Sequence, residues 1–184
     1  MSARESTPGA TRPPSPAPQG DGSPGPAPHS ATDAGAAPGA APAAAVPRKP
    51  PTHIQLTWEG EHRFAFGRPG GPQTRVDADV QEAPSPVDTL VGALVSCVSV
   101  DVVDILAKRR TPVASLTVDA VGERANAVPA RLTRVELRFR ITGQGIERVH
   151  AERAIDLAIN KYCSVRDSLD PDLPVEFTLD LEAE

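Results

Sequence analysis

Ser85-Pro86-Val87-Asp88-Thr89-Leu90-Val91-Gly92-Ala93-Leu94-Val95-Ser96-Cys97 is the stretch that decides how this chain folds. It opens on a helix start: Ser85 suits the N-cap, Pro86 the first helical position, and Asp88 completes an S-x-x-D capping arrangement. Beyond it Leu90, Ala93, Leu94, Cys97, Val98, Asp101, Val102 and Ile105 recur at helical spacing, and Val91 and Val95 widen the stripe. A helix this apolar belongs in the middle of a structure. Pro112 blocks its continuation, so the helix is expected to end near Arg110.

Upstream, Ile54 to Glu59 and Arg63 to Gly67 alternate apolar and polar residues around Gly60, which predicts a hairpin. A loop rich in Gly and Pro follows, then a strand over Thr74 to Val80. Downstream, Val113 to Glu123 and Arg131 to Ile141 read as strands. In the second, Leu132, Val135, Leu137, Phe139 and Ile141 take one face, while Arg134, Glu136, Arg138 and Arg140 take the solvent face. A second helix is predicted from about Ile146 to Tyr162, with another cap signature at Ser164 and Asp167. A last strand spans Pro174 to Leu181. The order ββ(β)-α-ββ-α-β describes an α+β protein whose long helices cover one side of antiparallel strands.

Composition sets the boundaries. Of 21 prolines, 12 precede residue 51, mixed with Ala, Gly and Ser, and no aromatic residue precedes Trp58. Such a segment has little apolar surface to set against its ordering entropy, so residues 1–50 are expected to be a disordered tail and 51–184 the folded domain. A net charge of -5 argues against a nucleic-acid partner, which needs a concentrated basic surface. Lys108-Arg109-Arg110 is the densest basic cluster, and it sits where cations complement a helix C-terminus. Asp88, Thr89, Ser96, Ser99 and Asp101 interrupt the apolar run from Val87 to Val103, which argues against a membrane span. With no secretory signal either, a soluble, cytoplasmic protein is expected.

The two cysteines, Cys97 and Cys163, lie one in each predicted helix region. They are either two independent packing residues, a common fate of buried thiols, or one redox pair. In a reducing compartment a pair is transient and catalytic more often than structural. Cys163, in Lys161-Tyr162-Cys163-Ser164-Val165, precedes a new helical turn whose amides, together with Arg166, are placed to lower its pKa. Cys97 sits mid-helix, so its activation has to come from another segment. His29, His53, His62 and His150 show no ligand spacing with either cysteine, and neither a metal nor a cofactor is expected.

Pro84-Ser85-Pro86-Val87-Asp88-Thr89-Leu90, Ala93-Leu94-Val95-Ser96-Cys97 and Asp101-Val102-Val103-Asp104-Ile105-Leu106 together resemble the first-cysteine helix of the OsmC/Ohr family. Lys161-Tyr162-Cys163-Ser164-Val165 resembles its second-cysteine motif, and the resemblance covers about Ile54 to Leu181. It implies an intertwined homodimer with sheets wrapped on two central helices. It also implies thiol-dependent reduction of organic hydroperoxides, with Cys97 forming the sulfenic acid, Cys163 resolving it as a disulfide, and a lipoyl-type dithiol restoring the thiols. Where the hydroperoxide-resistance branch has a glutamate after the helix-start proline, this chain has Val87, and Asp88 is the nearest carboxylate. Nine helical residues set Asp88 about 13 Å along the axis from Cys97 and on the far side, so a capping role competes with a catalytic one. The family's activating arginine comes from the N-terminal hairpin region. Arg63, Arg68 and Arg75 qualify by position, and Arg63 is favoured for its place beside the tight turn. The alternative reading is a non-enzymatic protein that holds a lipid-like ligand on the same fold.

Overall fold

A computed structural model describes residues 48–182. The expected tail of residues 1–50 therefore lies outside the described residues, except for 48–50. The chain order is β1 (Gln55–Gly60), β2 (Arg63–Gly67), β3 (Gln73–Asp77), α1 (Pro86–Lys108), β4 (Ser115–Arg124), β5 (Leu132–Thr142), α2 (Arg148–Leu157), a π-helical turn (Ala158–Tyr162), α3 (Ser164–Asp167) and β6 (Val175–Glu182).

The predicted start of α1 is present in full. Ser85 Oγ accepts from the Asp88 amide at 3.2 Å, and Asp88 Oδ2 accepts from the Ser85 amide at 2.9 Å. The helix stops at Lys108, two residues short of expectation. The first hairpin forms with Gly60 at φ 108°, a conformation open to glycine, and β2 pairs antiparallel with both β1 and β3. β3 ends at Asp77 and does not reach Val80. The buried Asp77 carboxylate accepts from the amides of Asp79, Gln81 and Glu82 at 3.0, 3.0 and 3.1 Å, which curls the chain out of the sheet.

A single antiparallel sheet is not what forms. The strands divide into two three-stranded sheets, β1-β2-β3 and β4-β5-β6. In the second, β4 is antiparallel to β5 but β6 is parallel to it, with Leu137 opposite Phe177 and Phe139 opposite Leu179. The reason is the connection. The chain leaves the end of β5, crosses through α2 and returns to the end where β5 begins, and such a helical crossover delivers a parallel strand.

The core lies between α1, α2 and the second sheet. Leu94, Val98, Val102 and Leu106 of α1 are fully buried, as are Ala151, Ala154 and Ile155 of α2 and Ala158 just beyond it. The small alanines let the two helices approach closely. Val135, Phe139 and Ile141 of β5 form the floor, and Phe177 of β6 meets Phe139 edge-on with centroids 6.4 Å apart. Burial of each large side chain contributes about 1.5–3 kcal/mol, so this row is the main source of stability. It also fixes α1 against the end of α2, where the two cysteines lie.

Candidate active site

Cys97 follows from the register of α1. It sits between the buried positions Leu94 and Val98, rotated onto the flank of the helix, and is half-buried. Cys163 is delivered by the π turn at the end of α2, whose last bond runs from the Cys163 amide to the Ala158 carbonyl at 3.0 Å. One residue more per turn than an α-helix re-aims the chain, and such widened turns recur at functional sites. Cys163 is 3% exposed.

The two thiols meet. The Cys97 thiol stands near enough to Cys163 to bear on its protonation. Burial, first, and the neighbouring Cys97 thiol, second, push the Cys163 thiol up to about 11, against the opposing pull of the Arg166 and Val165 amides. Cys163 therefore carries its proton at neutral pH. That reverses the expectation that a following helical turn would lower its pKa. The amides do point at the sulfur, and Arg166 N–H reaches Sγ at 3.3 Å, but desolvation outweighs them.

Cys163 itself, not Ser164, caps α3. The Arg166 guanidinium is turned away from the sulfur. It donates to the carbonyls of Asp170, Pro171 and Leu173 at 3.1, 3.1 and 2.9 Å and holds the loop before β6. Lys161 lies 5.5 Å over the Tyr162 ring. A hollow of about 490 Å³ beside Cys163 is lined by Lys161, Tyr162, Ser164, Arg166 and Asp167, among others, and does not reach Cys97.

The remaining sequence candidates sit elsewhere in the protomer. Arg63 Nη1 is 3.0 Å from Glu82 and 3.3 Å from Glu61, and Arg75 Nε is 3.0 Å from Glu59. Both arginines line a second hollow with Glu59, Asp77 and Glu82, and neither cysteine belongs to it. Arg68 lies exposed in the loop between β2 and β3. Asp88 is committed to the capping box, and its bonds to Ser85 hold it below the usual carboxylate range. The π turn, the cap made by Cys163 and the loop-holding Arg166 were not anticipated. The only hint in the sequence is that Arg166 follows the cysteine by three residues.

A family model described as OsmC-like protein matches residues 78–178, which carry both cysteines and the elements that position them. The chain belongs to the OsmC family. Among curated relatives of this OsmC protein, the protein YhfA of Escherichia coli K12 is 33% identical over 112 residues, covering 60% of this chain and 84% of YhfA. The crystal structure of a hypothetical protein from Aquifex aeolicus matches with a TM-score of 0.66 at 23% identity, over 74% of this chain and 99% of that one. The organic hydroperoxide resistance protein OhrB of Bacillus subtilis shares the fold, with a TM-score of 0.50 at 10% identity over 70% of this chain and 98% of its own. A protein named for organic hydroperoxide resistance thus shares this fold.

Proposed function

We propose that this OsmC protein is a thiol-dependent peroxidase that reduces organic hydroperoxides through Cys97 and Cys163. The observation that carries the reading is the proximity of the two thiols, brought together by α1 and the π turn. Cys97, as thiolate, attacks one oxygen of the O–O bond, becomes a sulfenic acid and releases an alkoxide that takes a proton and leaves as the alcohol. Cys163, protonated and close by, then attacks the sulfenic sulfur. The S–S bond forms, and its proton departs with the sulfenic hydroxyl as water. A dithiol of lipoyl type reduces the disulfide, a cycle suited to a reducing, cytoplasmic compartment. Intact-mass analysis after a stoichiometric dose of cumene hydroperoxide tests the proposal. Loss of two hydrogens in the native chain and gain of one oxygen in Cys163→Ser support it, and an unchanged mass overturns it.

Two apolar surfaces lie uncovered in the protomer: Leu90, Val100 and Val103 on α1, and Leu56 and Trp58 on β1 with Ile54 just before it. We assign both to a homodimer, because a two-fold pairing would cover them together. Although α1 is long and apolar enough to cross a membrane, its Leu94, Val98, Val102 and Leu106 pack into the core. A monomer in light scattering, or binding to lipid vesicles, would contradict this assembly.

One observation favours the ligand-binding alternative. A hollow of about 380 Å³ lies between α1 and the second sheet, lined by Val87, Val91, Val95, Val118, Ala120 and Leu132, with Asp88, Ser96 and Arg124 also on its wall. A co-purified ligand in native mass spectrometry, together with thiols inert to hydroperoxide, would decide for it.

A further inference from the structure

A disulfide between Cys97 and Cys163 offers two sulfurs to an incoming thiolate, and the choice sets how the pair is restored. Thiol–disulfide exchange needs the incoming, central and leaving sulfurs in line, so the attack comes from the side opposite the leaving group. The hollow of about 490 Å³ touches Cys163 but not Cys97. An incoming thiol in this hollow thus meets Cys163 and not Cys97. The walls at this point are polar, with Lys161 and Ser164 beside Cys163, and the Arg166 amide already reaches Sγ of Cys163. Cys97 is the more exposed of the two, but its exposure is on the flank of α1 that also carries Leu90, Val100 and Val103, an apolar surface.

We propose that the external dithiol enters the hollow beside Tyr162, attacks Sγ of Cys163 and expels Cys97 as the thiolate, an inference that rests on the peroxidase reading above. The step forms a mixed disulfide between the reductant and Cys163, breaks the Cys97–Cys163 bond and returns Cys97 ready for the next hydroperoxide. The second thiol of the reductant then attacks its own sulfur in the mixed disulfide. A cyclic disulfide leaves, and Cys163 departs as a thiolate that takes up a proton. Burial holds the Cys163 thiol up at about 11, which makes Cys163 a poor leaving group and disfavours the reverse attack. The same property makes release of Cys163 the slow step. A dithiol overcomes it by intramolecular attack at high effective concentration, whereas a monothiol leaves the mixed disulfide to accumulate.

The test uses the full-length protein oxidised with diamide, which makes the disulfide without any hydroperoxide. A short pulse of β-mercaptoethanol is quenched with iodoacetamide, and the peptides are mapped. The expected product carries the mercaptoethanol adduct on Cys163 and the alkyl group on Cys97, in about tenfold excess over the reverse. An equal mixture, or the adduct on Cys97, overturns the inference. Failure of diamide to form the disulfide overturns it together with the peroxidase reading. Correct mapping in a protein inert to cumene hydroperoxide removes the peroxidase reading alone and leaves the exchange polarity standing.

Discussion

The two corners of this protein that carry candidate chemistry are built in opposite ways. The thiol corner is assembled by the core: Leu94 and Val98 fix α1, Ala158 and Ile159 fix the π turn, and the cysteines meet where those elements converge. The arginine corner stands on the sheet β1–β3, where Arg63 and Arg75 already answer Glu82, Glu61 and Glu59. The Arg75 side chain is 73% exposed and that of Arg63 is 34% exposed. Exposed pairs of this kind contribute about 0–1 kcal/mol, so they exchange readily for other partners. Folding of one chain thus places the thiols, while the arginines remain free to be re-paired when another surface arrives.

The contrast can be broken most sharply by removing a thiol. Cys97→Ser is expected to lower hydroperoxide consumption by about 1000-fold, because the nucleophile has no substitute. A residual rate within about tenfold of the native protein would move the chemistry away from the thiol corner. Next in size is the support beneath it. Leu94→Ala removes a fully buried side chain and should cost about 2–5 kcal/mol in denaturant unfolding. A cost below about 1 kcal/mol would mean that α1 is not held by its core face.

Proton linkage gives a smaller effect. Since the thiol of Cys163 is raised from 9.0 to about 11, the reduced unfolded chain loses this proton first as pH climbs. The folded state is then the one that still binds the proton, so stability falls as pH rises between those two values. About 3 kcal/mol at most is at stake in the reduced protein and none of it after oxidation or in Cys163→Ala, which unfolding curves across the window will show. The smallest effect belongs to the other corner. Arg63→Ala should cost less than about 1 kcal/mol of stability, so any large loss of activity in that variant reports on chemistry and not on folding. A cost above about 2 kcal/mol would show the pair with Glu82 to be structural.

Much of this arrangement was legible from residues. The start of α1 is written in Ser85, Pro86 and Asp88, and the buried face of β5 in the alternation from Leu132 to Ile141, because local hydrogen bonding and period-two burial act within a few residues. The direction of β6 was not, since Val175 to Leu181 would alternate in the same way whether it paired parallel or antiparallel. The contact of the two thiols was foreseen only through the family likeness. Geometrically it depends on a turn with one residue more than an α-helix, and no composition marks such a turn. The pairing of Arg63 with Glu82 depends on how the loop after Asp77 curls back, which no local pattern encodes.

The turn at Ala158–Tyr162 makes the position of Cys163 a matter of phase. An ordinary helix advances about 100° per residue, and the widened turn absorbs one residue without carrying that rotation forward. Insertion or deletion of a single residue there would swing the thiol around the helix axis and away from Cys97, with every side chain of the core unchanged. The spacing between Ala158 and Cys163 thus behaves as a reading frame, indifferent to most side-chain substitutions and intolerant of a change in count.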